Sequence, residues 1–143
     1  MPTHLLPSTC RTRLAALALA ICASAAPFPG QAADTSPQQQ LDRFAAQAAA
    51  PGQTARGQAF FTSRQGGEWS CSSCHGSPPI AAGKHASTGK AIDAMAPAAN
   101  PAAFTSTAKV DKWFRRNCND VLRRECSAGE KADVLAYLLS LKP

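Results

Sequence analysis

The run Cys71-Ser72-Ser73-Cys74-His75 carries the most specific chemistry in this sequence. C-x-x-C-H is the attachment pattern of a c-type haem. Two thiols three residues apart on one turn reach both vinyl groups of the macrocycle and form thioethers. The adjacent histidine then falls under the iron and supplies its proximal nitrogen. A thioredoxin-like use of C-x-x-C asks for a βαβ context, which the sequence lacks. A zinc half-site asks for a second pair of ligands at suitable spacing. Cys118 and Cys126, eight apart and far along the chain, fit that poorly. One covalent haem c is therefore the expected cofactor, held by Cys71, Cys74 and His75.

The group on the other face of the iron decides what such a centre does. A strong sixth ligand makes an electron carrier, and a weak or absent one leaves iron open to small molecules. Past residue 33 the chain has one further histidine, His85, and one methionine, Met95. His85 follows Lys84 in a Gly- and Ser-containing stretch and reads as a solvated loop histidine. Met95 precedes Ala96-Pro97 and offers a thioether, the usual partner of histidine in electron transfer. It reads equally well as apolar packing against the haem edge. Asn117 is the odd residue, because it falls on an otherwise apolar helical stripe. Burying its amide without a partner would cost about 1–3 kcal/mol. Either it hydrogen-bonds to backbone or water, or its carbonyl faces iron.

Covalent haem implies export, and the N-terminus reads that way. Arg11 and Arg13 form a basic region, Leu14 through Ala26 an apolar one, and Gly30-Gln31-Ala32 offers small residues for a signal peptidase. The apolar run is too short for a spanning helix. Residues 1–33 are expected to be a removed signal peptide, and 34–143 one haem domain in the periplasm. Cys10 and Cys22 leave with the signal, and haem takes two of the remaining four cysteines. In an oxidising compartment the last pair, Cys118 and Cys126, should be a disulfide.

Residues 34–143 carry thirteen Lys and Arg against nine Asp and Glu, a net charge of +4. The basic residues gather late, at Lys109, Lys112, Arg115, Arg116, Arg123 and Arg124. Nucleic acid is not an expected partner of an exported haem protein. An acidic redox partner suits such a face, and so does an ordinary solvated helix surface.

The elements that must position these residues read as helices. Ser36-Pro37 is a helix start, with Leu41, Phe44 and Ala45 at helical spacing and Pro51-Gly52 as the stop. A second helix spans 54–63, and Gly57 within it suggests close approach of another helix. Residues 76–104, rich in Pro, Ala, Gly and Ser, read as a loop wrapped on haem, with one short helix near Ile92. From Ser106 onward Val110, Trp113, Phe114, Asn117, Cys118 and Val121 form one stripe. Ser127-Ala128-Gly129-Glu130 is a capping-box pattern opening a terminal helix with Val134, Leu138 and Leu141 on one face. No strand alternation is visible, and an all-α haem domain follows.

Longer runs add a family resemblance. Thr88-Gly89-Lys90, Ala96-Pro97, Pro101-Ala102-Ala103-Phe104-Thr105, the stretch from Val110 to Asn119 with its Arg116-Asn117-Cys118-Asn119 core, and Cys126 through Asp133 are similar to the sphaeroides haem protein family. These are small monohaem cytochromes c. The resemblance implies a class I cytochrome c fold, Asn117 as a weak distal ligand opposite His75, and a Cys118–Cys126 bridge that fixes its loop. It further implies that reduction opens the sixth position to oxygen or nitric oxide, and that a dihaem cytochrome c and a membrane cytochrome b are the redox partners. Two functions are thus in play. One is a ligand-binding cytochrome, with oxidoreductase activity toward oxygen or nitrogen oxides as its enzymatic extension. An amide oxygen is hard and neutral, so it suits ferric iron better than ferrous. The alternative is a His/Met electron shuttle ligated by Met95.

Overall fold

A computed structural model describes Met1 and residues 33–143. The signal-peptide reading, with Cys10 and Cys22, lies outside the described residues. Five helices are present: α1 (Pro37–Ala48), α2 (Thr54–Thr62), α3 (Ser72–His75), α4 (Thr107–Leu122) and α5 (Ala128–Ser140). None of the described helices is long and apolar enough to cross a membrane.

Local chemistry explains their limits. The Ser36 hydroxyl accepts from the Gln39 N–H at 3.2 Å, and Pro37 opens α1 where its missing N–H costs nothing. The expected capping box opens α5: Glu130 N–H donates to Ser127 Oγ, and Ser127 N–H donates to Glu130 Oε2 at 2.8 Å. α4 is capped from a distance. Ser106 makes no side-chain cap, and Asp34 Oδ1 accepts from the Thr107 N–H at 2.8 Å instead. Gln40, buried in α1, donates to Thr107 Oγ1 at 3.0 Å, and Arg43 pairs with Asp111 at 2.6 Å. The start of α1 and the segment before it thereby fix the N-terminal end of α4.

The core joins the helices through aromatic and aliphatic side chains. Phe44 meets Phe114 edge to face at 5.5 Å, and Phe61 tilts against Tyr137 at 5.6 Å. Leu135 and Leu138 of α5 are fully buried beside them. The close approach expected at Gly57 is made by α5: a Cβ there would overlap the Asp133 carbonyl. Asp133 locks the same crossing, accepting from Arg56 Nε at 2.7 Å and from the Gln53 N–H at 2.7 Å. α1 packs on α5 as well.

Three expectations need correction. Near Ile92 the chain forms an antiparallel pair rather than a helix, β1 (Gly83–Lys84) with β2 (Ala91–Ile92). The turn residues Ser87, Thr88 and Gly89 close this hairpin, and His85 organises it: Nδ1 accepts from the Ser87 and Thr88 N–H groups, each at 3.3 Å. His85 is accordingly half-buried rather than solvated. Trp113, placed by its spacing on the apolar stripe, is instead 46 % exposed. The stripe is narrower than the periodicity implies, with Val110, Phe114 and Cys118 as its buried centre.

Candidate haem site

Cys71 through His75 form a single helical turn, with the His75 N–H donating to the Cys71 carbonyl at 3.1 Å. Both thiols are unpaired and half-buried. Ser73 Oγ accepts from the Ser70 N–H at 3.0 Å and sets the start of the turn. α3 packs against β1 and α2. Gly83 is essential to that contact, since a Cβ there would overlap the Cys74 carbonyl. The Ala86 N–H donates to Cys74 Sγ at 3.3 Å, which lays the hairpin turn on the sulfur itself. Among the described residues no group of three or more His, Cys, Asp and Glu gathers into a metal site.

The turn opens onto a cleft of about 860 Å³, within the size range of pockets that enclose a cofactor. Cys71, Cys74 and His75 line it, with Met95 from the loop and Asn117 from α4. The sequence-predicted site residues are thus brought to one cavity. Cys118 and Cys126 lie at its edge and are bonded, Cα to Cα 5.6 Å, tying the last turn of α4 to the residue before the α5 cap. The bridge follows Asn117 directly and restrains the backbone that carries it.

The electrostatics suit a largely apolar macrocycle bound through sulfur and imidazole. Burial pushes the Cys71 thiol up to about 11, so it stays protonated until its sulfur is alkylated. Burial also lowers the pKa of His75 and keeps its imidazole neutral, the form that donates a lone pair to a metal. His75 Nδ1 is buried without a hydrogen-bond partner, and Phe61 backs the ring at 6.3 Å. The polypeptide alone leaves this side chain unsatisfied, at a cost of about 1–3 kcal/mol. The residues present therefore fit a haem: two thiols on one turn, a neutral imidazole beside them, and an apolar cleft in front.

The two rival sixth ligands sit differently. The Met95 and Ala96 N–H groups both donate to the Pro79 carbonyl, at 3.1 and 3.0 Å. This pins the Met95 backbone to the segment that follows His75. Asn117 stands on α4, half-buried, and its side chain makes no hydrogen bond among the described residues. Its amide is spoken for neither by backbone nor by a neighbouring side chain.

Two lining residues, Trp69 and Phe104, were given no role from the sequence, and a third, His85, was placed differently. Trp69 stands two residues before the motif, an available signal in a chain with 6 % aromatics. Phe104 adopts φ 61°, a left-handed conformation unusual for a bulky residue, and reaches Phe114 at 6.5 Å. His85 joins the lining through the hairpin that the sequence concealed.

Comparison with known proteins agrees with this site. A family model described as a domain of unknown function, DUF1924, matches residues 47–138. The chain is 47 % identical over 114 residues to cytochrome c-type protein SHP of Cereibacter sphaeroides, covering 77 % of this chain and 88 % of that one. It is 44 % identical over 80 residues to cytochrome c'' of Methylophilus methylotrophus, 56 % of each chain. Among solved structures, oxidized SHP, described as an oxygen-binding cytochrome c, superposes with a TM-score of 0.71 at 47 % identity, covering 76 % of this chain and 99 % of that one. Oxidized cytochrome c'' of Methylophilus methylotrophus follows at 0.65 and 33 % identity, covering 75 % and 95 %.

Proposed function

Because the chain belongs to the sphaeroides haem protein family, whose members are small monohaem cytochromes c with haem c as cofactor, we propose that it is a periplasmic, ligand-binding cytochrome with Asn117 as its redox-sensitive distal ligand. Haem c would supply an iron that exchanges single electrons and, when reduced and not blocked by a strong ligand, takes small molecules such as oxygen or nitric oxide. Cys71 and Cys74 anchor the macrocycle, and His75, kept neutral by burial, supplies the proximal nitrogen. Asn117 offers a hard, neutral carbonyl oxygen that suits ferric iron and is a poor match for ferrous. The Cys118–Cys126 bridge would hold the backbone next to that side chain in place in either redox state. The oxygen-binding description of oxidized SHP supports the same reading for this chain. Electrons arrive from a partner cytochrome, a dihaem cytochrome c acting with a membrane cytochrome b.

The observation that carries this reading is the Asn117 side chain, which lines the haem cleft and makes no hydrogen bond among the described residues. Spectra of two variants test it. Asn117→Val should change the ferric spectrum and open that state to added anions, and Met95→Leu should leave ferric and ferrous spectra nearly unchanged. Loss of a low-spin spectrum in Met95→Leu, with no effect of Asn117→Val, would make the protein a His/Met electron shuttle.

A further inference from the structure

Trp113 is an exposed aromatic bracketed by two cations. Lys112 Nζ lies 5.4 Å and the Arg116 guanidinium 5.6 Å from its ring. Apart from the chain terminus, no other large apolar side chain among the described residues is left exposed. Trp113, Lys109 and Arg116 stand on the rim of the haem cleft, Arg116 next to Asn117 and the other two one and two turns before it, and Lys90 of the hairpin stands on the same rim. Lys90, Lys109 and Lys112 join no ion pair among the described residues, and Arg116 reaches Asp120 only at 4.0 Å. Arg124, by contrast, is held by Glu130 at 2.7 Å and does not add to this face. Two carboxylates, Asp93 and Asp120, share this rim; between Gly76 and Ile92 there is no acidic residue, and the Ala86 N–H of that stretch touches Cys74 Sγ, one of the two sulfurs that would bond haem.

We infer that Trp113, with Lys112 beside it and Lys90, Lys109 and Arg116 on the adjoining cleft rim, forms the docking surface for an acidic one-electron donor protein. The inference rests on the cytochrome reading above and adds the place and the chemistry of the partner. A tryptophan ringed by cations is the composition of an interface hot spot, an amphipathic anchor within a charged collar. Stacking on the ring holds Lys112 and Arg116 over the aromatic face, so less side-chain freedom is lost on docking. The positive rim steers an acidic partner and orients it toward the cleft. The other candidate for such a face, an anionic lipid surface, is less well matched. One tryptophan without neighbouring exposed leucines or phenylalanines provides little area to insert.

Stopped-flow reduction of the ferric holoprotein tests this, with reduced flavodoxin as an acidic one-electron donor and the neutral lumiflavin semiquinone as an uncharged one. The flavodoxin rate should fall roughly tenfold between low and high salt, as for steered association. Lys112→Glu, whose side chain does not line the cleft, should slow it severalfold at low salt and flatten the salt dependence, and Trp113→Ser should slow it at every salt concentration. Lumiflavin rates should be unmoved by Lys112→Glu. A salt-independent flavodoxin rate that Lys112→Glu leaves unchanged would overturn the proposal. So would equally salt-dependent binding to phosphatidylglycerol vesicles accompanied by no effect of either variant on flavodoxin. Carbon monoxide binding to ferrous Lys112→Glu should match wild type, so that a failure of ligand binding is read separately from a failure of docking.

Discussion

Removing the Cys118–Cys126 bridge should cost both stability and control of Asn117. The bonded residues are eight apart, and the chain-entropy treatment of so short a loop gives about 2.5 kcal/mol. Both sulfurs are buried, at 6 % exposure each, so Cys118→Ala/Cys126→Ala also loses packed apolar surface, on the order of 1 kcal/mol. The expected loss is roughly 2.5–3.5 kcal/mol, a shift of the urea midpoint on the order of 1–2 M for a domain of this size. Circular dichroism at 222 nm during urea titration measures it, and reducing agent added to wild type should reproduce most of the effect. Haem should stay attached, because Cys71 and Cys74 lie on a different element. The ferric spectrum should change, because the backbone next to Asn117 is released. A loss below about 1 kcal/mol together with an unaltered ferric spectrum would refute the reasoning that this bridge restrains the distal side.

Acid-acetone treatment should leave haem on the wild-type chain, and Cys71→Ala should retain it through Cys74 alone, both read by intact mass. Gly57→Ala forces α2 and α5 apart at the Asp133 carbonyl and should destabilise by about 1–3 kcal/mol in the same urea titration. The Glu130 carboxyl is held below its usual range by the Arg124 hydrogen bond, aided by the Ser127 N–H. Because its folded pKa lies below the unfolded one, its contribution is present above the unfolded value and is lost as pH falls through the folded value. Arg124 is half-exposed, so the loss should be under about 1 kcal/mol, and Glu130→Gln should remove this part of the pH dependence.

Much of the site was legible because its chemistry is local. The haem motif is five consecutive residues, and the capping box and the proline at the start of α1 are decided within one turn. Gly57 announced a helix crossing, though only the fold identifies Asp133 as the other side. The hairpin at Lys84 and Ala91 was not legible. Two-residue strands have no alternation to read, and what holds them is a histidine side chain accepting from its own turn. The cap of α4 was hidden for the opposite reason: Asp34 lies 73 residues before the N–H it satisfies. Trp113 misled because helical spacing gives a residue's angle about the axis but not the width of the surface that covers it. Asn117 and Met95 could not be separated by spacing at all. Both line the same cleft, one from a loop and one from α4, and the choice between a thioether and an amide rests with the iron.

The central claim, a distal position that opens on reduction, is tested most directly by mixing ferrous wild-type holoprotein with carbon monoxide in a stopped-flow instrument. If Asn117 leaves on reduction, binding should be fast and its rate should rise linearly with carbon monoxide concentration, with no displacement step. A rate that saturates at a low, concentration-independent value would mean that a strong ligand such as the Met95 thioether must first be displaced, and would contradict the account.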